Sequence, residues 1–267
     1  ISSIAALSPD QVPSFIPDHA RSGRLFSRRY RIIHQDHPIF RIEEFVPDHF
    51  CQERDRVTIR TPSRLHLTLI DMNGSCGRVD GGVGITLDDP GYVIEAERAE
   101  ETGIIADDDA LKARTLGILK SVCTKTGFEE GVQVRIHETI PPHGGLGSGT
   151  QLSLAIATAI SRLSGVPIPD PSGLTGRGGN SGIGVRSFFD GGVIIDGGHR
   201  FGSGKEKESY LPSSASPDVK LAPLIGRYEF PESWRIILCV PDLPPGANGE
   251  EERQIFQKRC PVPLTDV

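Results

Sequence analysis

The chain has 267 residues, 37% of them hydrophobic and 24% charged, with a formal net charge of -6. A compact fold of this length buries roughly three quarters of its unfolded surface, enough for a substantial core. The acidic balance lacks the overall positive field that nucleic-acid binding needs, so no nucleic-acid partner is expected. Five widely spaced cysteines (Cys51, Cys76, Cys123, Cys239, Cys260) form no C-x-x-C pair, which predicts reduced structural thiols rather than a zinc or redox site. No apolar run approaches the ~18 residues of a membrane span and the opening residues lack the order of a secretory signal. A cytoplasmic protein with no membrane partner is expected. Starting at Ile1 and stopping at Val267 soon after a strand-and-turn pattern, the chain is expected to be a fragment.

In chain order, residues 24–46 read as two strands around a turn at 35–38, and residues 47–56 as a polar linker. Residues 57–70 alternate and carry β-branched side chains, which predicts strands broken at Pro62. A glycine-rich loop is expected over 74–84, strands over 92–99 and 132–138, and an amphipathic helix over 107–126. From Pro141 a proline- and glycine-rich loop runs straight into an alanine-rich helix ending near Leu163. Residues 167–184 read as another proline- and glycine-rich segment, 193–195 as a strand and 199–216 as a polar loop. The continuous apolar run 234–240 predicts a buried strand, and a helix starts at Glu250. No repeat or low-complexity tract is visible.

The stretch Pro141, Pro142, His143, Gly144, Gly145, Leu146, Gly147, Ser148, Gly149, Thr150 puts four glycines and two hydroxyls directly before a helix. Glycines let backbone approach an anion, and a helix start offers unpaired N–H groups and partial positive charge. A bare G-x-G-x-G is as often a tight turn with a hydroxyl cap, but four glycines ahead of a long apolar helix favour phosphate. The loop has no Walker lysine and no Rossmann spacing.

What this loop resembles is the second motif of the GHMP superfamily, P-x-x-x-G-L-G-S-S-A. Pro141, Gly145, Leu146, Gly147 and Ser148 match, while Gly149 and Thr150 replace the second serine and the alanine. Three further stretches flank it, one before and two after: Thr61 to Asp71 (TPSRLHLTLID) with Gly77 to Gly84 (GRVDGGVG), then Gly176 to Val185 (GRGGNSGIGV) and Gly191 to His199 (GGVIIDGGH). Together they are similar to the β-ribofuranosylaminobenzene (or phenol) 5′-phosphate synthases of methanopterin biosynthesis, over about residues 57–267. The kinase members carry G-x-x-S-G-x-D, whose aspartate assists the phosphate acceptor, and the matching run here ends in Gly184. A glycine cannot orient or deprotonate a hydroxyl, although a carboxylate such as Asp196 could substitute.

The resemblance implies an α+β fold: a GHMP-type N-terminal domain over 57–186 containing a left-handed β-α-β unit, then the truncated start of a ferredoxin-like C-terminal domain over 187–267. It implies a pentosyltransferase that joins phosphoribosyl pyrophosphate to 4-hydroxybenzoate or 4-aminobenzoate, with loss of carbon dioxide and pyrophosphate. The alternatives are a GHMP small-molecule kinase binding ATP and a non-catalytic ligand-binding module. Arg64, Asp80, Arg177 and Asp196 are the expected catalytic residues. The expected phosphate-binding set is Pro141, Gly144, Gly145, Leu146, Gly147, Ser148, Gly149, Arg78 and Ser181. Asp71 and Asp80 are candidates for magnesium, the expected cofactor, or for ribose hydroxyls, and each can equally be a solvated turn aspartate. His66 reads as structural or catalytic, with His143 and His199 on loops. The expected partners are these small molecules, with a homodimer left open. Residues 1–50 stand apart: Arg28 to His34 and Pro38 to Phe45 look similar to the closing strands of chorismate-lyase-like proteins, and a family-specific hairpin is the equal alternative.

Overall fold

The computed structural model describes residues 4–7, 55–142, 144–167, 182–212, 216, 219–231, 233–239 and 250–266. The expected strands of residues 24–46 lie outside them. The chain divides into two compact units, one of 1–45 with 230–244, the other of 46–229 with 245–267. In the first, β1 (Ile4–Leu7) pairs antiparallel with β12 (Arg235–Leu238). This corrects the buried strand expected over 234–240: Trp234 is half exposed and Arg235 is exposed. A two-stranded ribbon covers little of its own surface, so an unbroken apolar run does not by itself mark a buried strand.

The second unit holds two four-stranded sheets. One is ordered β2 (Arg56–Arg60), β6 (Val93–Ala99), β8 (Gly131–Glu138), β7 (Gly103–Ile105). β7 runs parallel to β8, with helix α1 (Asp109–Thr126) between them in the chain, which is a β-α-β unit. The α1 boundaries follow from local chemistry. The Asp108 carboxylate accepts from the N–H of Leu111 at 2.7 Å, and Gly127 closes the helix in the left-handed region.

The other sheet is antiparallel throughout, ordered β11 (Leu224–Tyr228), β9 (Val193–Asp196), β5 (Gly81–Leu87), β3 (Ser63–Ile70). A small ribbon of β4 (Arg78–Val79) and β10 (His199–Arg200) adjoins it. The break at Pro62 separates β2 from β3 as expected. The loop expected over 74–84 is corrected at its end, because Gly81, Gly82 and Gly84 belong to β5. These glycines serve close packing: a Cβ on Gly84 would stand 2.1 Å from Ile183 Cγ2. Ile183 belongs to α3 (Gly182–Phe189), which lies across this sheet face.

Helix α2 (Ser148–Ser164) runs through the middle of the unit with eleven residues buried, Leu152, Leu154, Ile156 and Ile160 among them. No residue of this helix is exposed, because neighbouring elements cover it on every side. It packs against α1, β2, β6 and α3. α4 (Glu250–Arg259), near the chain end, buries no residue fully.

Candidate functional site

The start of α2 is held rigidly from two directions. Gly147 precedes the helix at φ 81°, in the left-handed region, and offers no side-chain cap. Its carbonyl takes the N–H groups of Thr150 at 3.0 Å and Gln151 at 3.1 Å. Leu146, 1% exposed, anchors the loop in the core, a burial worth about 1.5–3 kcal/mol. On the opposite side, the Leu146 carbonyl accepts from the Arg64 N–H at 3.1 Å, and the Arg64 guanidinium donates through Nη1 to the Gly145 carbonyl. The Arg64 side chain lies so close that a Cβ on Gly147 would come within 3.3 Å of its Nε.

Arg64 therefore meets the glycine loop, as the sequence predicts for a cation beside an anion site. With Nη1 fixed on the loop, the Nε–Nη2 edge of the guanidinium remains, and Nε is buried without a partner. That edge is the fork that grips carboxylate or phosphate oxygens in pairs. Burial lowers the Arg64 pKa to about 10, so the group stays cationic at neutral pH. Gly144, Gly145, Leu146, Gly147, Ser148 and Gly149 form one continuous loop and helix start, while Pro141 is exposed at its entry. Arg177, Ser181 and His143 lie outside the described residues.

A second knot lies beneath the start of α3. Asp196 is 5% exposed, and its Oδ1 accepts from Gly82 N–H at 3.0 Å and Gly198 N–H at 3.1 Å. Burial raises its pKa, while backbone donors from Gly198, Gly82 and Ile183 oppose the rise. Asp196 thus ties β5, the β9–β10 turn and the first turn of α3 together. His66 lies on the same sheet face. Burial, with help from the Arg64 charge, lowers its pKa to about 4, so it is neutral at physiological pH.

The remaining predicted residues take up other work. Arg78 donates through Nε to the Gly197 carbonyl at 2.6 Å and through Nη2 to the Gly198 carbonyl at 2.8 Å. Asp80, at φ 60°, forms a buried ion pair with Lys207, whose ammonium also donates to the Leu211 carbonyl. Asp71 shapes its own loop: Oδ1 accepts from Gly74 N–H at 2.9 Å and Asn73 N–H at 3.2 Å, and Oδ2 from the Cys76 thiol. The Cys76 hydrogen bond leads in lowering the Asp71 pKa. Lys207 thus holds Oδ2 of Asp80 while its Oδ1 is buried without a partner, and Asp71 is committed to its own loop. His199 is buried, and that burial lowers its pKa.

Sequence reasoning missed Lys207, which sits in a run of alternating charges (GKEKES) with no signal to set it apart. It also missed the contact between Thr150 and Gly184, although both positions were visible as departures from the kinase motifs. The Gln151 side-chain amide donates to the Gly184 carbonyl at 2.9 Å, joining α2 to α3 at the same place.

Residues 113–189 match the GHMP kinases N terminal domain family, and the α+β expectation is borne out. The particular relatives are synthases. The chain is 44% identical over 218 residues to the β-ribofuranosylphenol 5′-phosphate synthase of Methanothermobacter thermautotrophicus, an alignment covering 78% of the chain and 65% of that protein. Against the β-ribofuranosylphenol 5′-phosphate synthase of Archaeoglobus fulgidus it is 46% identical over 211 residues, covering 78% and 64%. The resemblance drawn from the four motifs is thus borne out. The chain spans just under two thirds of the length of these curated relatives. Among solved structures, the mevalonate kinase of L. major superposes at a TM-score of 0.43 with 16% identity, over 57% of this chain and 52% of that one. No described helix is long and apolar enough to cross a membrane.

Proposed function

We propose that this chain supplies the diphosphate-binding part of a pentosyltransferase that joins phosphoribosyl pyrophosphate to 4-hydroxybenzoate or 4-aminobenzoate. The observation that carries the reading is Arg64: it is pinned to the Gly145 carbonyl and keeps a buried Nε without a partner beside the start of α2. In the reaction, the bond from ribose C1 to the pyrophosphate oxygen breaks and its electron pair leaves with pyrophosphate. The ring carbon bearing the carboxylate forms the new bond to C1. Its bond to the carboxylate then breaks, carbon dioxide departs, and that electron pair restores the aromatic ring. Negative charge grows on the leaving pyrophosphate, so fixed donors around it lower the barrier. The loop N–H groups and Arg64 are such donors. Magnesium has no step in this reading.

The phenol in the relatives' name supports 4-hydroxybenzoate as the better acceptor. A kinase using ATP is the weaker reading because Gly184 brings no carboxylate to the acceptor position. The test is incubation of the intact protein with phosphoribosyl pyrophosphate and carboxyl-labelled 4-hydroxybenzoate. The reading expects labelled carbon dioxide in step with pyrophosphate, and release of neither would overturn it.

A further inference from the structure

Of the ten buried side-chain polar atoms that lack hydrogen-bond partners among the described residues, three cluster together: Arg64 Nε, Thr86 Oγ1 and His66 Nε2. All three project from one face of the paired strands β3 and β5: Arg64 stands directly opposite Thr86, and His66 two residues on stands opposite Gly84. Buried polar groups left unpaired are uncommon in folded proteins, and three side by side mark a place where a binding partner completes them. The glycines of β5 make room on this face for His66 and for Ile183 of α3. A Cβ on Gly82 would come within 2.9 Å of His66 Nε2.

The chemistry of the three groups is graded along the strand. Arg64 Nε can only donate, whereas the Thr86 hydroxyl and the Nε2 of neutral His66 can each donate or accept. His66 Nε2 is the ring nitrogen without a partner, while the Thr68 backbone opposes the lowering of the ring's pKa by burial. An anionic oxygen suits the Arg64 end and a hydroxyl suits the His66 end. Two residues of β-strand separate the ends by about 7 Å, which is the scale of a pentose with its phosphate.

We propose that Thr86 and His66 form a sugar-hydroxyl subsite beside the glycine loop, taking a ribosyl hydroxyl of the phosphorylated pentose whose diphosphate sits at Arg64 and Gly147. This inference rests on the loop being the diphosphate site, and the test separates the two. Binding of phosphoribosyl pyrophosphate and of inorganic pyrophosphate is measured by calorimetry for the wild-type protein, Thr86→Val and His66→Leu. Thr86→Val is nearly isosteric and removes a hydroxyl with no partner in the free protein, so its melting temperature should hold or rise.

The expected result is a roughly three- to ten-fold loss of affinity for phosphoribosyl pyrophosphate in each variant, with inorganic pyrophosphate unchanged because it has no hydroxyl to recognise. Equal losses for both ligands, or no loss in Thr86→Val, would overturn the subsite and leave the loop assignment standing. Failure of the wild-type protein to bind either ligand would overturn both. Should His66→Leu fail to fold, the nitrogen resonance of His66 Nε2 tests the same contact without a substitution. It should move on addition of phosphoribosyl pyrophosphate and stay fixed with pyrophosphate, and the reverse pattern would contradict the proposal.

Discussion

Thr150 and Gly184 touch: a Cβ on Gly184 would stand 3.2 Å from Thr150 Cγ2. They are two of the three positions at which the chain departs from the kinase motifs, Gly149 being the third; the motifs have an alanine in place of Thr150 and an aspartate in place of Gly184. A larger residue on α2 thus fills the space next to the residue that lost its side chain on α3. Restoring the kinase carboxylate with Gly184→Asp should overfill this contact and bury a charge, lowering unfolding free energy by about 1–3 kcal/mol. Adding Thr150→Ala should recover part of the loss. Urea unfolding of the single and double variants checks this, and purely additive effects would contradict the contact as described.

Gly147 is the second test. Its φ of 81° and the nearness of Arg64 leave no room for a branched side chain. Gly147→Val should cost about 1–2 kcal/mol of stability from the left-handed backbone alone, and abolish binding of phosphoribosyl pyrophosphate in the fraction that folds. Unchanged affinity in a folded variant would remove the loop from the site.

The Asp80–Lys207 pair makes a prediction about stability. Both side chains are buried, 6% and 2% exposed, so removing one leaves the other as an uncompensated charge. Lys207→Met should destabilise the protein by about 3–5 kcal/mol. Asp80→Asn, which tolerates the left-handed backbone at this position, should restore much of that loss when combined with Lys207→Met. A loss under about 1 kcal/mol for the single lysine variant would show that Asp80 is satisfied in some other way.

Acid titration isolates His66. Its folded pKa of about 4 lies below the ordinary 6.5, so the stability it contributes is present above pH 6.5 and is lost as pH falls toward 4. The full loss is at most about 3 kcal/mol. Asp196, with its pKa raised by burial, acts in the opposite sense, so the comparison must be with His66→Asn. Unfolding free energy measured at pH 6.5 and 4.5 should fall more in wild type than in His66→Asn. Equal falls would contradict a buried neutral imidazole.

Much of the fold was legible because its signals are local. The β-branched alternation broken at Pro62, the amphipathic helix expected from residue 107 and the glycine loop before a largely apolar helix each specify their element within a short window. Arg64 was legible as a cation near the loop because both belong to motifs read in order. What escaped the sequence depends on distant pairing. The strand character of Gly81 to Gly84 follows from α3 crossing above it, and α3 begins only at Gly182, far along the chain. Asp80 reads as a free carboxylate in the sequence, yet in the fold a polar loop brings Lys207 onto its Oδ2. Arg78 looks equally free to meet a phosphate, yet in the fold it spends two donors on Gly197 and Gly198.

The most direct measurement of the central claim follows phosphorus resonances while the intact protein is incubated with 4-hydroxybenzoate and either phosphoribosyl pyrophosphate or ATP. A diphosphate site built from the α2 start and Arg64, without an acceptor carboxylate at Gly184, predicts release of inorganic pyrophosphate from phosphoribosyl pyrophosphate, abolished in Arg64→Ala, with ATP left intact. Conversion of ATP to ADP with transfer to the acceptor, while phosphoribosyl pyrophosphate stays whole, would contradict it.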